Sequence, residues 1–295
     1  MKKKQNLRLA KPVTKSSEKA GKHHLRARIR LRIYLGSILV SLLLICGIIW
    51  SRAYQHLNLS MIVVSNDSLQ FEPSHEITQW HHNEAKFVYL TFNDGPSKNT
   101  ELILDVLDNH DVKGTFFVLG SAIEKLQTSE EILRKIIEND HYIGLHSMTR
   151  NVNYLYLDDD AAQNFLDEML ALQEVVALMT QGFESTLCRA PLGTSGNLSE
   201  QHVKLLLDSG LNCWDWHIDA RDWSPVTVED VMTHIETGMM LWGQPNHMVI
   251  LFQESDVAIE SLPQVIAYFL ENGYEFLAYD PIRHVPVNLI NHPDL

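Results

Sequence analysis

The stretch KFVYLTFNDGPS, residues 86–97, is an apolar, aromatic and β-branched run that stops at a turn-forming cluster, Asn93-Asp94-Gly95-Pro96-Ser97. A run this short and this apolar reads as a strand buried on both faces, the kind found in parallel sheets. Working outward, the spacing predicts a helix over Thr100–His110, a buried strand in KGTFFVLG, a helix over Ser129–Asn139 and a strand in HYIGLHS. A long helix follows over Asp159–Thr180. Further strands fit Ser185–Arg189, Asn212–Ile218, Met248–Phe252 and Glu275–Ala278, and helices fit Ser199–Ser209, Thr227–Gly238 and Ser261–Asn272. Strands alternating with helices over about 200 residues, with no linker and no repeat, point to one parallel α/β domain. The number of units suits a barrel better than an open sheet, although periodicity alone does not decide closure.

The chain upstream is of a different kind. Residues 1–32 hold twelve Lys or Arg and one acid, Glu18, whereas residues 33–295 hold twelve bases and thirty-six acids, so local charges of +11 and −24 sum to the overall −13. Between them lies IYLGSILVSLLLICGIIW, Ile33–Trp50, without a charge. As a helix it would rise about 27 Å, close to a bilayer's hydrocarbon thickness. It lacks both the polar face of a core helix and the small-residue cleavage site of a signal peptide. The expectation is an uncleaved anchor with the basic arm in the cytoplasm and everything after Arg52 outside. Orientation and attraction to anionic lipid explain the lysines without invoking nucleic acid. The predicted organisation is a cytoplasmic arm (1–32), a transmembrane anchor (33–50), a polar stem (51–85), an α/β domain (86–285) and a C-terminal tail (286–295). Low Gly, Pro and Cys counts (14, 10 and 3) exclude collagen-like, disordered and disulfide-scaffold chains. Cys188 and Cys213 sit in apolar strands and read as buried thiols, with a disulfide as the alternative.

In a parallel α/β barrel the chemistry gathers on loops after the C-terminal ends of strands. Those loops carry Asn93-Asp94-Gly95-Pro96, His146-Ser147-Met148-Thr149-Arg150, Arg189-Ala190-Pro191-Leu192-Gly193, Asp219 with Asp222-Trp223, and Gln253-Glu254. Each alone has a bland reading: Asp-Gly-Pro a turn, His146 a strand-end histidine, His81-His82 a solvated pair in the stem, Asp158–Asp160 the start of a helix.

Taken in order, however, TFNDGP (91–96), KGTFFVLG, DHYIGLHS, RAPLG (189–193) and the Asp222-Trp223 pair resemble the motifs of the polysaccharide deacetylase family, the NodB-homology domain of carbohydrate esterase family 4. The match runs from about Lys86 to Tyr279. The resemblance implies a distorted (β/α) barrel and metal-assisted hydrolysis of the acetamido group of N-acetyl sugars. It implies a first-motif Asp as base, the next Asp and two His as ligands of a divalent metal such as zinc, and a late His as acid. It further implies an Arg that orients the base, a backbone N–H near the Pro-x-Gly turn that holds the oxyanion, and an Asp-Trp pair that tunes the acid and walls the groove.

Carried onto this chain, Asp94 and His146 take metal positions. Arg189, Pro191, Gly193, Asp222 and Trp223 keep the family residues, with Leu192 in the turn. Three positions depart: Asn93 stands at the base, Arg150 at the second metal His and Gln253 at the acid. Asn and Gln cannot exchange a proton in this role, and a guanidinium has no lone pair for a metal. The expectation is a membrane-anchored, extracytoplasmic deacetylase-like protein that meets cell-wall N-acetylated glycan with metal chemistry impaired. The rivals are a hydrolase working through an altered site and a non-catalytic scaffold for a protein partner.

Overall fold

The computed structural model describes residues 85–224 and 226–295. The arm, the span Ile33–Trp50, the stem, its expected strand at Ser60–Ser65 and His81-His82 lie outside the described residues. Among the described residues no helix is long and apolar enough to cross a membrane.

The strand read first, β1 (Lys86–Gly95), lies in the middle of an all-parallel sheet. The chain continues as α1 (Thr100–Asn109), β2 (Gly114–Val118), α2 (Gly120–Lys125), α3 (Ser129–Glu138), β3 (Tyr142–Leu145), a π-helical turn (Asn153–Leu157), α4 (Ala161–Met179) and β4 (Leu187–Cys188). Then come α5 (Glu200–Ser209), β5 (Asn212–Cys213), β6 (Ile218–Asp219), α6 (Val228–Trp242), β7 (His247–Gln253), α7 (Asp256–Glu271), β8 (Tyr274–Phe276) and a short 3₁₀ turn (Pro281–Arg283). The strand order is β5-β4-β3-β2-β1-β7-β6, with β8 also pairing β1. This is a curled parallel half-barrel. The unit count favours a barrel and leaves closure open; here the sheet does not close, because β5 and β6 end the ladder and no pairing joins them among the described residues.

The opening has a local cause. The single strand expected over Asn212–Ile218 is broken into β5, which pairs β4, and β6, which pairs β7. Between them the backbone turns inward, with Asp215 N–H bonded to Val287 O at 2.6 Å and the Trp214 indole N–H to Val285 O at 2.7 Å. Residues 286–295, set apart as a tail, pack against this segment: Val287 is buried beside Trp214, and the Leu289 N–H donates to Asp215 Oδ2 at 2.7 Å. The last long helix starts at Asp256 rather than Ser261, since the Ser255 hydroxyl accepts the Ala258 N–H and caps it, and Pro263 is carried in the interior. The turn at Asn153–Leu157 and α2 carry no clear period, so spacing does not predict them.

Side chains alternate along β1 as the pleat requires. Val88, Leu90 and Phe92 pack under the helices. Tyr89 faces the half-barrel interior with Phe117, Tyr142, Leu187, Trp214, Val249, Tyr279 and Val287. Cys188 and Cys213 are register partners on β4 and β5, buried and unbridged.

Candidate active site

On the interior face of β1 the period of two carries Tyr89 to Thr91 and then to Asn93, at the strand's C-terminal end. Asn93 pairs in register with Gln253 of β7, so the sequence-marked base and acid positions stand side by side on neighbouring strand ends. Strict alternation would send Asp94 to the opposite face. Instead the β1–β2 register slips between Asn93 and Gly95, and Asp94 takes a left-handed backbone with φ 65°. This bulge turns the Asp94 carboxylate into the same cavity as Asn93. Gly95 follows it with the Glu254 carboxylate packed against its Cα, so that a Cβ there would force the Glu254 side chain to shift.

The cavity, about 550 Å³, is lined by Asn93, Asp94, His146, Arg150, Leu192, Trp216, Asp219, Trp223, Leu251 and Gln253. At its floor Asp94 Oδ2 lies 2.8 Å from Arg150 Nη1, and Asp94 Oδ1 lies 3.5 Å from His146 Nε2. His146 donates from Nδ1 to the Arg189 carbonyl at 2.9 Å, which fixes the tautomer and leaves the Nε2 lone pair facing Asp94. Neither Asp94 Oδ1 nor His146 Nε2 has a hydrogen-bond donor. Burial holds the His146 pKa at about 3, so the ring is neutral. Burial also raises the Asp94 pKa, and the Arg150 charge opposes that rise.

Arg189 is fully buried behind Asn93 and lies outside the cavity lining. Its fork donates to Trp214 O (2.9 Å), Asp215 O (2.7 Å), Thr91 Oγ1 (2.8 Å) and Asn93 Oδ1 (2.9 Å), and its guanidinium lies 3.9 Å from the Phe117 ring centroid. The guanidinium thus bridges β1 to the broken segment between β5 and β6. Burial without a directly bonded carboxylate lowers its pKa to about 9. Asp222 is likewise held back from the cavity. It accepts from Gln253 N–H (2.9 Å) and the Ser255 hydroxyl (2.7 Å), and burial raises its pKa to about 6. Trp223 is 64% exposed on the rim. In the Arg189–Gly193 loop, Leu192 has φ 68° and reaches the cavity, while Pro191 and Gly193 shape the turn beneath it.

Residues that sequence reasoning missed position these. Glu168 of α4 accepts from Met148 N–H, Thr149 N–H and the Thr149 hydroxyl at 3.1, 3.0 and 2.6 Å, gripping the loop that ends in Arg150. Tyr156, from the unforeseen π turn, donates to Pro191 O at 2.8 Å. Buried Asp215 accepts from Thr194 N–H at 3.0 Å and Leu289 N–H at 2.7 Å. Trp216, Leu251 and Asp219 complete the lining. Of these only Asp219 had a signal, its place at a strand end. Strained backbone gathers here: Asp94, at the end of β1, and Ser147, Arg150, Leu192 and Arg221, on the loops of this rim, all have positive φ.

Comparison with known proteins bears on this geometry. Residues 81–213 match the family profile of polysaccharide deacetylases. A peptidoglycan-N-acetylglucosamine deacetylase of Bacillus cereus is 31% identical over 208 residues, covering 70% of this chain and 73% of the relative. The chain belongs to the polysaccharide deacetylase family. The crystal structure of a polysaccharide deacetylase from Bacillus cereus superposes with a TM-score of 0.64 at 30% identity, over 71% of this chain and all 100% of that one. An esterase of carbohydrate esterase family 4 from Streptococcus mutans superposes at 0.61 with 29% identity, over 67% and 87% of the two chains.

Deacetylases of this family generally use a divalent metal, and zinc catalysis takes three protein ligands plus a water. The donor chemistry of this site does not fit that set. Asp94 Oδ1 and His146 Nε2 offer two lone pairs, but the third loop position presents the Arg150 guanidinium, bonded to Asp94. Among the described residues no group of three or more His, Cys, Asp or Glu is placed to hold a metal.

Proposed function

We propose that this deacetylase-family protein is anchored by Ile33–Trp50, faces the cell wall, and binds wall glycan in the old groove with metal-dependent hydrolysis lost. The observation that carries the reading is the Arg150–Asp94 ion pair at 2.8 Å, a cation bonded to the carboxylate at the family's metal position. Asn93 and Gln253, register partners at the base and acid positions, support it, since neither side chain exchanges a proton near neutral pH. Loss of a positioned acid or base costs about 10²–10⁴ in rate each, and such losses combine non-additively within one machinery. The relatives' names give peptidoglycan as the glycan to test first. The retained Arg189 network, Asp222 and the exposed Trp223 favour a groove that still holds a sugar chain over an empty scaffold.

The decisive measurement is acetate release from N-acetylated chitooligosaccharide, together with elemental analysis of the purified protein. The expected result is no enzyme-like acetate release and no stoichiometric zinc. The combined variant Asn93→Asp, Arg150→His and Gln253→His is expected to gain both. Acetate release by the unaltered protein at family-like rates, or about one zinc per chain, would overturn the proposal.

A further inference from the structure

The cavity floor presents two acceptors and no donor between them. Asp94 Oδ1 and His146 Nε2 face each other at 3.5 Å, and His146 is 1% exposed. A buried acceptor left without a donor is costly, and two facing lone pairs repel as well. The surroundings supply nothing to relieve them. Arg150 is spent on Oδ2, the other oxygen of the same carboxylate. Across the cavity stands a second carboxylate, Asp219. Its oxygens accept only the Arg221 N–H at 2.8 Å and the Trp223 indole N–H at 3.4 Å, and no Lys or Arg pairs with it among the described residues. The lining therefore holds two carboxylates against one guanidinium. Beyond it, residues 86–295 contain eleven bases and thirty-two acids. Trp216 and Trp223 add aromatic faces at the wall and rim, suited to a sugar ring or to a cation.

A hydroxyl or a secondary amide brings one N–H or O–H and no charge. A primary ammonium brings three N–H donors and the positive charge that this cavity lacks. We infer that the cavity receives the free amino group of a de-N-acetylated hexosamine in a glycan chain, its ammonium donating to Asp94 Oδ1 and His146 Nε2 with Asp219 facing it. The protein then reads the product of the chemistry that its family performs. This rests on the glycan-binding reading above and adds which sugar is bound.

The test is binding of the full-length protein to glucosamine hexamer and to N-acetylglucosamine hexamer, with lysine hexamer as a competitor of similar charge. The expected result is about tenfold tighter binding of the amine hexamer, the worth of one well-placed charge contact. Asp219→Asn and Asp94→Asn should each remove most of that preference, bringing the affinities for the two hexamers together. Glu131→Gln, on the exposed face of α3, should leave both affinities unchanged. Equal or tighter binding of the N-acetylated hexamer would overturn the inference and leave the glycan-binding reading standing. Equal competition by lysine hexamer, or an equal effect of Glu131→Gln, would reduce the preference to general charge attraction and also overturn it. Binding of neither sugar would overturn both. Each variant's circular dichroism spectrum separates a lost contact from a lost fold.

Discussion

Replacing Arg189 by lysine keeps a cation at the same position and removes only the fork, which makes it a sharp test of how the half-barrel is held. The guanidinium serves acceptors on two separate parts of the fold: Thr91 and Asn93 on the central strand β1, and the carbonyls of Trp214 and Asp215 on the segment between β5 and β6. An ammonium is a single point on a flexible stem and cannot reach both sets of acceptors at once. At least one backbone carbonyl and one side-chain acceptor are left without a donor, each costing about 1–3 kcal/mol when buried. Loss of the guanidinium's stacking on Phe117, 3.9 Å from the ring centroid, adds about 1 kcal/mol. Burial already lowers the native Arg189 pKa to about 9, so a lysine, with its lower ordinary value, is less easily kept charged there. The expected loss is about 4 kcal/mol, or roughly 10 °C in Tm for a domain of this size. Urea unfolding followed by tryptophan fluorescence measures it directly. A double-mutant cycle with Asn93→Ala should show coupling of about 1 kcal/mol or more, since Asn93 Oδ1 accepts from the same fork. A loss below about 1 kcal/mol would refute the claim that this fork ties β1 to the broken segment between β5 and β6.

Two further predictions concern groups that the fold buries. His146 has its pKa held at about 3, below the ordinary 6.5, so on acidification the unfolded ring takes up a proton that the folded ring refuses. Its contribution makes stability fall as pH drops from about 6.5 toward 3, by about 1.4 kcal/mol per pH unit. His146→Gln should flatten the pH dependence of unfolding between about pH 4 and 6 by that amount, and an unchanged slope would mean that the ring is not held neutral. Cys188 and Cys213 are buried and unbridged, with the Cys188 thiol pushed up by its hydrogen bond with Cys213 and by burial. Both should resist thiol reagents in the folded protein and react once it is unfolded in urea, as mass spectrometry would record. Rapid labelling of either in the folded state would show that β4 and β5 open.

The elements that were legible in the sequence are those whose signal is local. The apolar run at Lys86–Phe92 has to be a buried strand, and the same logic located the other long strands and helices, because one buried face imposes a period of two or 3.6. Chain order also put the polar residues of five loops at one rim, and with them Asn93, Arg150 and Gln253 in place of a base, a ligand and an acid. What stayed hidden depends on partners distant in the chain. Asn212–Ile218 reads as one strand, and only the competing pairings with β4 and β7 split it and open the sheet. Asp94 reaches the cavity only through a bulge in the β1–β2 register, which the alternation of side chains does not reveal. That Arg150 lies on one oxygen of Asp94 and leaves the other facing His146 follows from Glu168 holding the loop from α4. Local composition determined which residues arrive at the rim; packing between distant elements decided which atoms face each other there, because a hydrogen bond is settled by fractions of an ångström that no sequence spacing encodes.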